Sequence, residues 1–199
     1  MTTLPVMESF YTIQGEGFYT GRAAYFIRLG GCDIGCNWCD VKESWDIHKH
    51  PQINIENLIS KAKLSNSKFV VITGGEPAMH DIKELVSQLH ISNIEVAIET
   101  SGAYEVTGDV DWYCFSPKKF KPAIDEAYER ANELKVVINH PSDFAWAEIH
   151  ASRVKQECKF FLQPEWEKKE RFLPLIVDYV KFHSKWRISL QTHKYLNIP

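Results

Sequence analysis

The sequence predicts an α/β fold built as a partial, open βα barrel with an extra extended segment at its N-terminal side. Three observations lead there. Short apolar runs rich in β-branched and aromatic residues alternate with stretches of helical periodicity, the pattern of a mostly parallel sheet flanked by helices. Seven such runs fit into 199 residues, which falls short of a closed eight-fold barrel of ~250 residues. Polar or glycine-rich clusters follow each run, and in parallel α/β architectures the C-terminal strand ends share the ligand-bearing face. A doubly wound sheet is the structural rival.

The elements follow in order. Residues 7–13 read as an extended segment leading into Gln14-Gly15-Glu16-Gly17. Strands are expected at 24–29, 69–73, 94–99, 112–115, 134–138, 159–162 and 187–190. Between the first two, Ile55, Leu58, Ile59 and Ala62 repeat at helical spacing, and Ile82, Leu85, Val86 and Leu89 do so between the second and third. Weaker helical patterns cover 123–132 and 142–151. A longer one covers 165–183, where Pro174 is expected to kink or split the helix. The stretch 102–111 is too short for a crossover helix and reads as a loop or single turn. The strand-end clusters are Gly30-Gly31-Cys32, Gly74-Gly75-Glu76-Pro77, Thr100-Ser101-Gly102, Ser116-Pro117-Lys118, Asn139, Gln163-Pro164 and Gln191-Thr192-His193-Lys194. Any one alone is what turns ordinarily look like. Together with a cysteine loop they point to one shared face.

Composition bounds the answer. Hydrophobic residues make up 44% and charged residues 25%, an ordinary globular balance that argues against disorder. A chain of this size buries about 70% of its unfolded surface, enough for one core, so one domain over residues 1–199 is expected. With 23 Lys+Arg against 26 Asp+Glu the net charge is −3, which gives no footprint for duplex nucleic acid. No apolar run reaches the ~18–20 residues that span a bilayer. Met1-Thr2-Thr3-Leu4-Pro5 lacks the basic and apolar regions of a signal peptide, so a cytoplasmic protein is expected. The odd cysteine count, five, argues against a disulfide framework. Cys114 and Cys158 stand alone in apolar stretches and read as core residues.

The other three cysteines carry chemistry. Cys32-x3-Cys36-x2-Cys39 supplies three thiolates from one loop directly after the first strand. A cubane iron–sulfur cluster held this way keeps one iron without a cysteine, free to bind a small molecule through an amine and a carboxylate. Zinc is the alternative, with His48 or His50 completing a Cys3His site. Downstream, the two glycines of Gly74-Gly75-Glu76-Pro77 permit close backbone approach. Pro77 stiffens the entry to the next helix, with a cap near His80-Asp81, and Glu76 on that turn is placed to face an ammonium group.

The three-cysteine loop, Trp38 before its last cysteine, and the GGEP turn together resemble the radical S-adenosylmethionine (SAM) enzymes. The resemblance implies a 4Fe-4S cluster on Cys32, Cys36 and Cys39, with SAM chelated to the fourth iron, and a modified, compact partial barrel. It places Trp38, Asp40, Gly74, Gly75, Glu76, Ser116, Lys118 and Gln163 along bound SAM. Thr12-Ile13-Gln14-Gly15-Glu16-Gly17 and the ending Gln191-Thr192-His193-Lys194-Tyr195-Leu196-Asn197-Ile198-Pro199 sharpen it. With them the chain is similar, essentially end to end, to the 7-carboxy-7-deazaguanine synthase family. That family converts 6-carboxy-5,6,7,8-tetrahydropterin to 7-carboxy-7-deazaguanine with loss of ammonia, on the route to queuosine and other 7-deazapurines. Its members are usually homodimers, and a low-potential flavodoxin or ferredoxin is implied as electron donor.

The residues suit such a substrate. A pterin edge presents N–H donors beside a carbonyl, which the Gln14 amide and Glu16 carboxylate can read together, with Ile13 and Gly15 alongside. Arg28 is the cation best placed for the substrate carboxylate, against the plainer role of a surface ion pair. Thr73 is placed to donate to the ligand, and the resemblance brings His193 and Pro199 to the substrate. For Lys194 a solvated basic tail is the competing explanation. Glu16, Asp40 and His193 are the candidate general bases. One position departs from the family: where members commonly carry a Ser or Thr that ligates Mg2+, Cys39-Asp40 is followed by Val41, which offers no side-chain oxygen. A weakened, displaced or absent Mg2+ dependence is therefore expected. The functional rivals are an activating enzyme that makes a glycyl radical on a partner protein, and a zinc-binding adaptor without catalysis.

Overall fold

The computed structural model describes residues 2–199. Nine strands form one sheet: β1 (Thr3–Ile13), β2 (Ala23–Leu29), β3 (Gln52–Asn54), β4 (Phe69–Gly74), β5 (Glu95–Thr100), β6 (Trp112–Phe115), β7 (Glu133–Ile138), β8 (Lys159–Pro164) and β9 (Trp186–Ile188). Their spatial order is β3-β1-β2-β4-β5-β6-β7-β8-β9. From β2 to β9 every neighbour is parallel, while β1 runs antiparallel to both β2 and β3. The two outer strands are not paired with each other, so the curved sheet is an open, partial barrel. Helices α1 (Ile55–Leu64), α2 (Lys83–Ile91), α3 (Asp125–Arg130), α4 (Asp143–Ala151) and α5 (Lys169–Phe182) precede β4, β5, β7, β8 and β9, and α6 (Thr192–Leu196) follows β9. No described helix is long and apolar enough to cross a membrane.

Local chemistry sets these boundaries. Asn54 caps α1 by accepting from the Glu56 amide at 3.0 Å, and Ile55, Leu58 and Ala62 bury its apolar face. Each large aliphatic side chain so buried contributes about 1.5–3 kcal/mol. Asp81 accepts from the Lys83 amide at 3.1 Å at the start of α2, and Thr107, from the 102–111 loop, accepts from the Ile82 amide at 2.8 Å. Cys114 and Cys158 are core residues.

The strands alternate between two environments. Ile27, Leu29, Val70, Ile72, Val96, Ile98, Leu134, Val136 and Ile138 pack outward under the helices. On the concave face, Phe26, Phe69, Val71 and Ala97 form an apolar floor with Phe10, Tyr19 and Trp112. Polar residues of the same parity lie nearer the C-terminal strand ends.

Two expectations change. The 165–183 segment does not split at Pro174. A short 3-10 helix (Trp166–Lys168) gives way to α5 at Lys169, and Pro174 lies inside α5. Phe172 and Ile176 anchor that helix, being 1% and 0% exposed. The hydrogen bond that proline forfeits belongs to the carbonyl of exposed Glu170, which water can satisfy. The N-terminal strand is also longer than 7–13, and β3 was not expected. Thr3, Leu4 and Pro5 pair with Asn54, Ile53 and Gln52, a long-range pairing of three residues that no local periodicity announces.

Candidate active site

The loop after β2 carries the three cysteines and is clamped from both sides. The Gly31 and Cys32 amides donate to the Ser44 and Trp45 carbonyls at 2.7 and 3.1 Å. Across from it, the Gly75 and Glu76 amides donate to the Leu29 and Gly31 carbonyls, each at 2.9 Å. The contact is too tight for any side chain at position 75: a Cβ there would lie 2.4 Å from the Gly31 oxygen and 2.8 Å from Cys32 Cβ. The two motifs found separately in the sequence are thus one packed unit.

Glu76 is the strut of that unit. It is 1% exposed, and its carboxylate accepts from the Ala78 amide at 3.1 Å, Thr100 Oγ1 at 2.5 Å, the Ser101 amide at 2.9 Å and the Ser101 hydroxyl. Four donors fill the roughly four lone-pair sites of a carboxylate. The Gly75 carbonyl, by contrast, accepts no hydrogen bond among the described residues.

Beneath the loop lies a cavity of about 360 Å³, within the range of small-ligand sites. Every cluster, SAM and substrate residue expected from the sequence lines it. Cys32, Cys36, Cys39, Trp38, Asp40 and Val41 form one side, with Thr73, Gly74, Gly75, Glu76, Ser116, Lys118 and Gln163 on successive strand ends. Ile13, Gln14, Gly15, Glu16, Arg28, His193 and Pro199 form the other. Lys118 Nζ donates to the Ser116 carbonyl and hydroxyl at 2.5 and 2.7 Å, and burial pulls its ammonium below the ordinary lysine range. Burial also raises the Cys32 thiol, and pushes the Cys36 thiol up to about 11 against the pull of Lys118. Such thiols become thiolates when a metal displaces the proton.

The Gln14–Gly17 loop crosses the concave face instead of hanging from its rim. Gln14 Nε2 donates to Glu99 Oε1 at 2.9 Å, and the Gly17 and Phe18 amides donate to Ser189 Oγ and Glu133 Oε2 at 3.0 and 3.1 Å. Lys135 Nζ lies 2.5 Å from Glu16 Oε2 and 3.3 Å from Glu99 Oε2. Burial pushes the Glu16 carboxyl up, but the Lys135 ammonium and hydrogen bonds from Lys135 and Gln191 override it and bring it down to about 2.

The tail locks onto the same loop. The Thr192 amide and hydroxyl both donate to the Gly15 carbonyl, at 2.9 and 3.0 Å. His193 Nδ1 occupies the space where a Gly15 Cβ would stand, 2.2 Å away. Asn197, with φ 54°, ends α6 in a left-handed turn and sends the chain back, so that Thr12 Oγ1 donates to the Pro199 oxygen at 3.2 Å. Burial lowers the His193 imidazole, which stays neutral near pH 7. Arg28 lines the cavity while its Nε donates to Glu8 Oε1 at 2.7 Å. Lys194 is no free tail, since its ammonium sits 2.8 Å from Asp40 Oδ2 on the cavity wall.

Glu99, Lys135 and Gln191 line the cavity without having been singled out as site residues in the sequence. A signal existed. Glu99 and Lys135 are charged residues at the inward parity of strands whose outward positions are apolar, Glu99 next to last in β5 and Lys135 midway along β7.

The donor set fits a cubane cluster. Three cysteines open onto a cavity large enough for cluster and ligand, and the Val41 amide donates to Cys39 Sγ at 3.4 Å. The zinc alternative lacks its fourth ligand: neither His48 nor His50 lines the cavity, and His50 Nε2 donates to the Glu43 carbonyl at 3.0 Å. Among the described residues no three Cys, His, Asp or Glu side chains converge on a single ion. Mg2+ does not fit beside Val41. Asp40, the adjoining carboxylate, is already neutralised by Lys194 and accepts from Gln191 Nε2 at 3.2 Å, whereas Mg2+ demands near-octahedral oxygen ligation.

Comparison with known proteins agrees with this geometry. The family described as the Radical SAM superfamily matches residues 26–139. The chain is 57% identical to the 7-carboxy-7-deazaguanine synthase of Flavobacterium psychrophilum, over 98% of this chain and 93% of that protein. It is 46% identical to the synthase of Synechocystis, over 98% and 93% of the two chains. Identity to the Escherichia coli synthase is 35%, over 98% of both chains. The crystal structure of QueE from Escherichia coli superposes with a TM-score of 0.83 at 32% identity, covering 94% of this chain and 93% of that one. A family match over residues 26–139, identity of this order along nearly the whole chain and a superposition this close have one explanation: the chain belongs to the radical SAM superfamily and, within it, to the 7-carboxy-7-deazaguanine synthase family.

Proposed function

We propose that the chain converts 6-carboxy-5,6,7,8-tetrahydropterin to 7-carboxy-7-deazaguanine with release of ammonia, in 7-deazapurine biosynthesis. The observation that carries this is one cavity walled on one side by the cysteine loop and GGEP turn, and on the other by Gln14, Glu16, Glu99 and the 191–199 tail. Cys32, Cys36 and Cys39 would hold the 4Fe-4S cluster. When bound, cluster and SAM would supply the radical chemistry that acts on the C6 hydrogen of the pterin.

The chain's own residues bind and orient. With the Glu76 carboxylate saturated, the Gly75 carbonyl is the free acceptor that the turn offers the SAM ammonium. Trp38, Asp40, Ser116, Lys118 and Gln163 line the remainder of that half. Gln14 and Glu16, flanked by Ile13 and Gly15, read the N–H edge of the pterin, and Thr73, His193 and Pro199 complete its surround. Arg28 meets the substrate carboxylate, and no Mg2+ is required. Holding the C–H within reach of the radical is a positioning task, worth several kcal/mol of barrier when the geometry is held closely. We further propose that the chain works as a cytoplasmic homodimer reduced by a flavodoxin or ferredoxin, with residues 1–199 acting as one domain.

Anaerobic incubation of reconstituted protein with the carboxytetrahydropterin, SAM and dithionite tests the reaction. The expected result is 7-carboxy-7-deazaguanine by mass spectrometry, with SAM reused rather than consumed. A brown, cluster-bearing protein that forms none of it would overturn the proposal and leave the glycyl-radical activating enzyme as the rival.

A further inference from the structure

Low in the lining of the cavity sits a buried charged group that the reaction scheme does not use. Lys135, on β7, is 3% exposed and faces carboxylates from three different elements. These are Glu16 from the loop after β1 at 2.5 Å, Glu99 from β5 at 3.3 Å, and Glu133 two residues away on its own strand. The Cys114 thiol of β6, the Lys118 ammonium beyond it, the His193 imidazole of α6 and the Asp40 carboxylate beside Glu16 are the other titratable groups nearby. Glu133 is also buried, with one oxygen accepting from the Phe18 amide and Trp112 Nε1 and the other without a partner. Its carboxyl is pushed up by burial. The ion pairs of Lys135 are with Glu16 and Glu99.

Those two carboxylates have further partners that fix their outlines. Glu16 accepts from Gln191 Nε2 at 2.9 Å, and Glu99 accepts from Gln14 Nε2 at 2.9 Å. Gln14 in turn accepts from the Glu16 amide at 3.0 Å. The ring of contacts runs Gln14, Glu99, Lys135, Glu16 and back, and Lys135 is its only cation. We infer that Lys135 is a positioning residue: from the buried floor of the cavity its ammonium bridges Glu16 and Glu99 and holds both carboxylates toward the face where the N–H edge of the substrate docks. This rests on the pterin reading of the cavity. Without the ammonium, two neighbouring half-buried carboxylates repel, and one of them takes up a proton to relieve the repulsion. A protonated carboxyl then offers a donor where the substrate also brings donors.

The test uses cluster-reconstituted, SAM-loaded but unreduced protein, so that binding of the carboxytetrahydropterin is read by calorimetry without turnover. Lys135→Met keeps the length and removes the charge. Its Kd is expected to rise at least tenfold at pH 7.5, and to worsen more than the wild type's as pH falls from 8 to 6. Lys135→Arg, which keeps the cation, should restore binding to within about tenfold of wild type with the wild-type pH profile. If Lys135→Met does not fold, Lys135→Gln removes the charge while keeping a donor for one carboxylate, and carries the same expected loss. Unchanged Kd with parallel pH profiles would overturn the inference, as would an arginine variant no better than methionine. Wild-type protein that neither binds nor converts the pterin would instead bring down the functional reading on which the inference stands.

Discussion

Gly15→Ala probes the joint between the two ends of the chain. The new Cβ would stand 2.2 Å from His193 Nδ1 and 2.8 Å from the His193 main-chain nitrogen. Turning the imidazole relieves the first contact but not the second, so the backbone at His193 must move. What it pulls away from is the Gly15 carbonyl, where Thr192 donates twice, and the Glu16 carboxylate, where Gln191 donates once. Three hydrogen bonds at about 0.5–1.5 kcal/mol each bound the cost at about 1.5–4.5 kcal/mol. That is enough to lift the tail and too little to unfold a sheet whose core lies elsewhere. With His193 and Pro199 withdrawn, substrate binding should weaken by a similar amount, about 1–3 kcal/mol, or roughly 5- to 150-fold in KM for the pterin. Steady-state kinetics with varied pterin reads this, and trypsin reads the tail directly, since the Lys194–Tyr195 bond becomes available once Lys194 leaves Asp40. The expected variant has a raised KM, faster cleavage after Lys194 and substrate-free SAM cleavage at the wild-type rate. A KM within twofold of wild type, with Lys194 still protected, would refute the idea that loop and tail form one substrate wall.

Two more outcomes follow from the same contacts. Because Val41 offers no oxygen and Asp40 is paired with Lys194, product formation should run at the same rate in EDTA-treated buffer as with millimolar Mg2+; a several-fold Mg2+ stimulation would contradict the ligand argument. His150, stacked with Tyr128 and accepting or donating at 2.8 Å to its hydroxyl, is pushed down from 6.5 to about 4 by burial and then by Arg153. The folded protein thus resists a proton that the unfolded chain accepts, so stability is lost as pH falls from 6.5 to about 4, by up to about 3 kcal/mol. Urea unfolding of His150→Phe should show a correspondingly flatter decline over that interval, and a slope equal to wild type's would count against it.

Much of this molecule is legible in its chain. Seven parallel strands, their helices and the chemistry of the three-cysteine loop are local signals: period-2 and period-3.6 hydrophobicity, caps, and ligand spacing all act within about ten residues. Strand-end clustering even predicts that the motifs share one face, because a parallel sheet leaves its C-terminal ends on one side. What folding alone decided are the partners across the sheet. Glu76 was legible as a residue facing an ammonium, but Thr100 and Ser101 of the next strand end occupy its oxygens. Gly15 was legible as a place for close approach, but the approaching group is His193, 178 positions later in the chain. Lys135 is an unremarked lysine in an apolar run until β5 and the Gln14–Gly17 loop bring two carboxylates to it. Charges interact through space at a few ångströms regardless of how many residues separate them, so a one-dimensional pattern records which groups are present and the three-dimensional fold decides which of them are neutralised, pinned or left free to act.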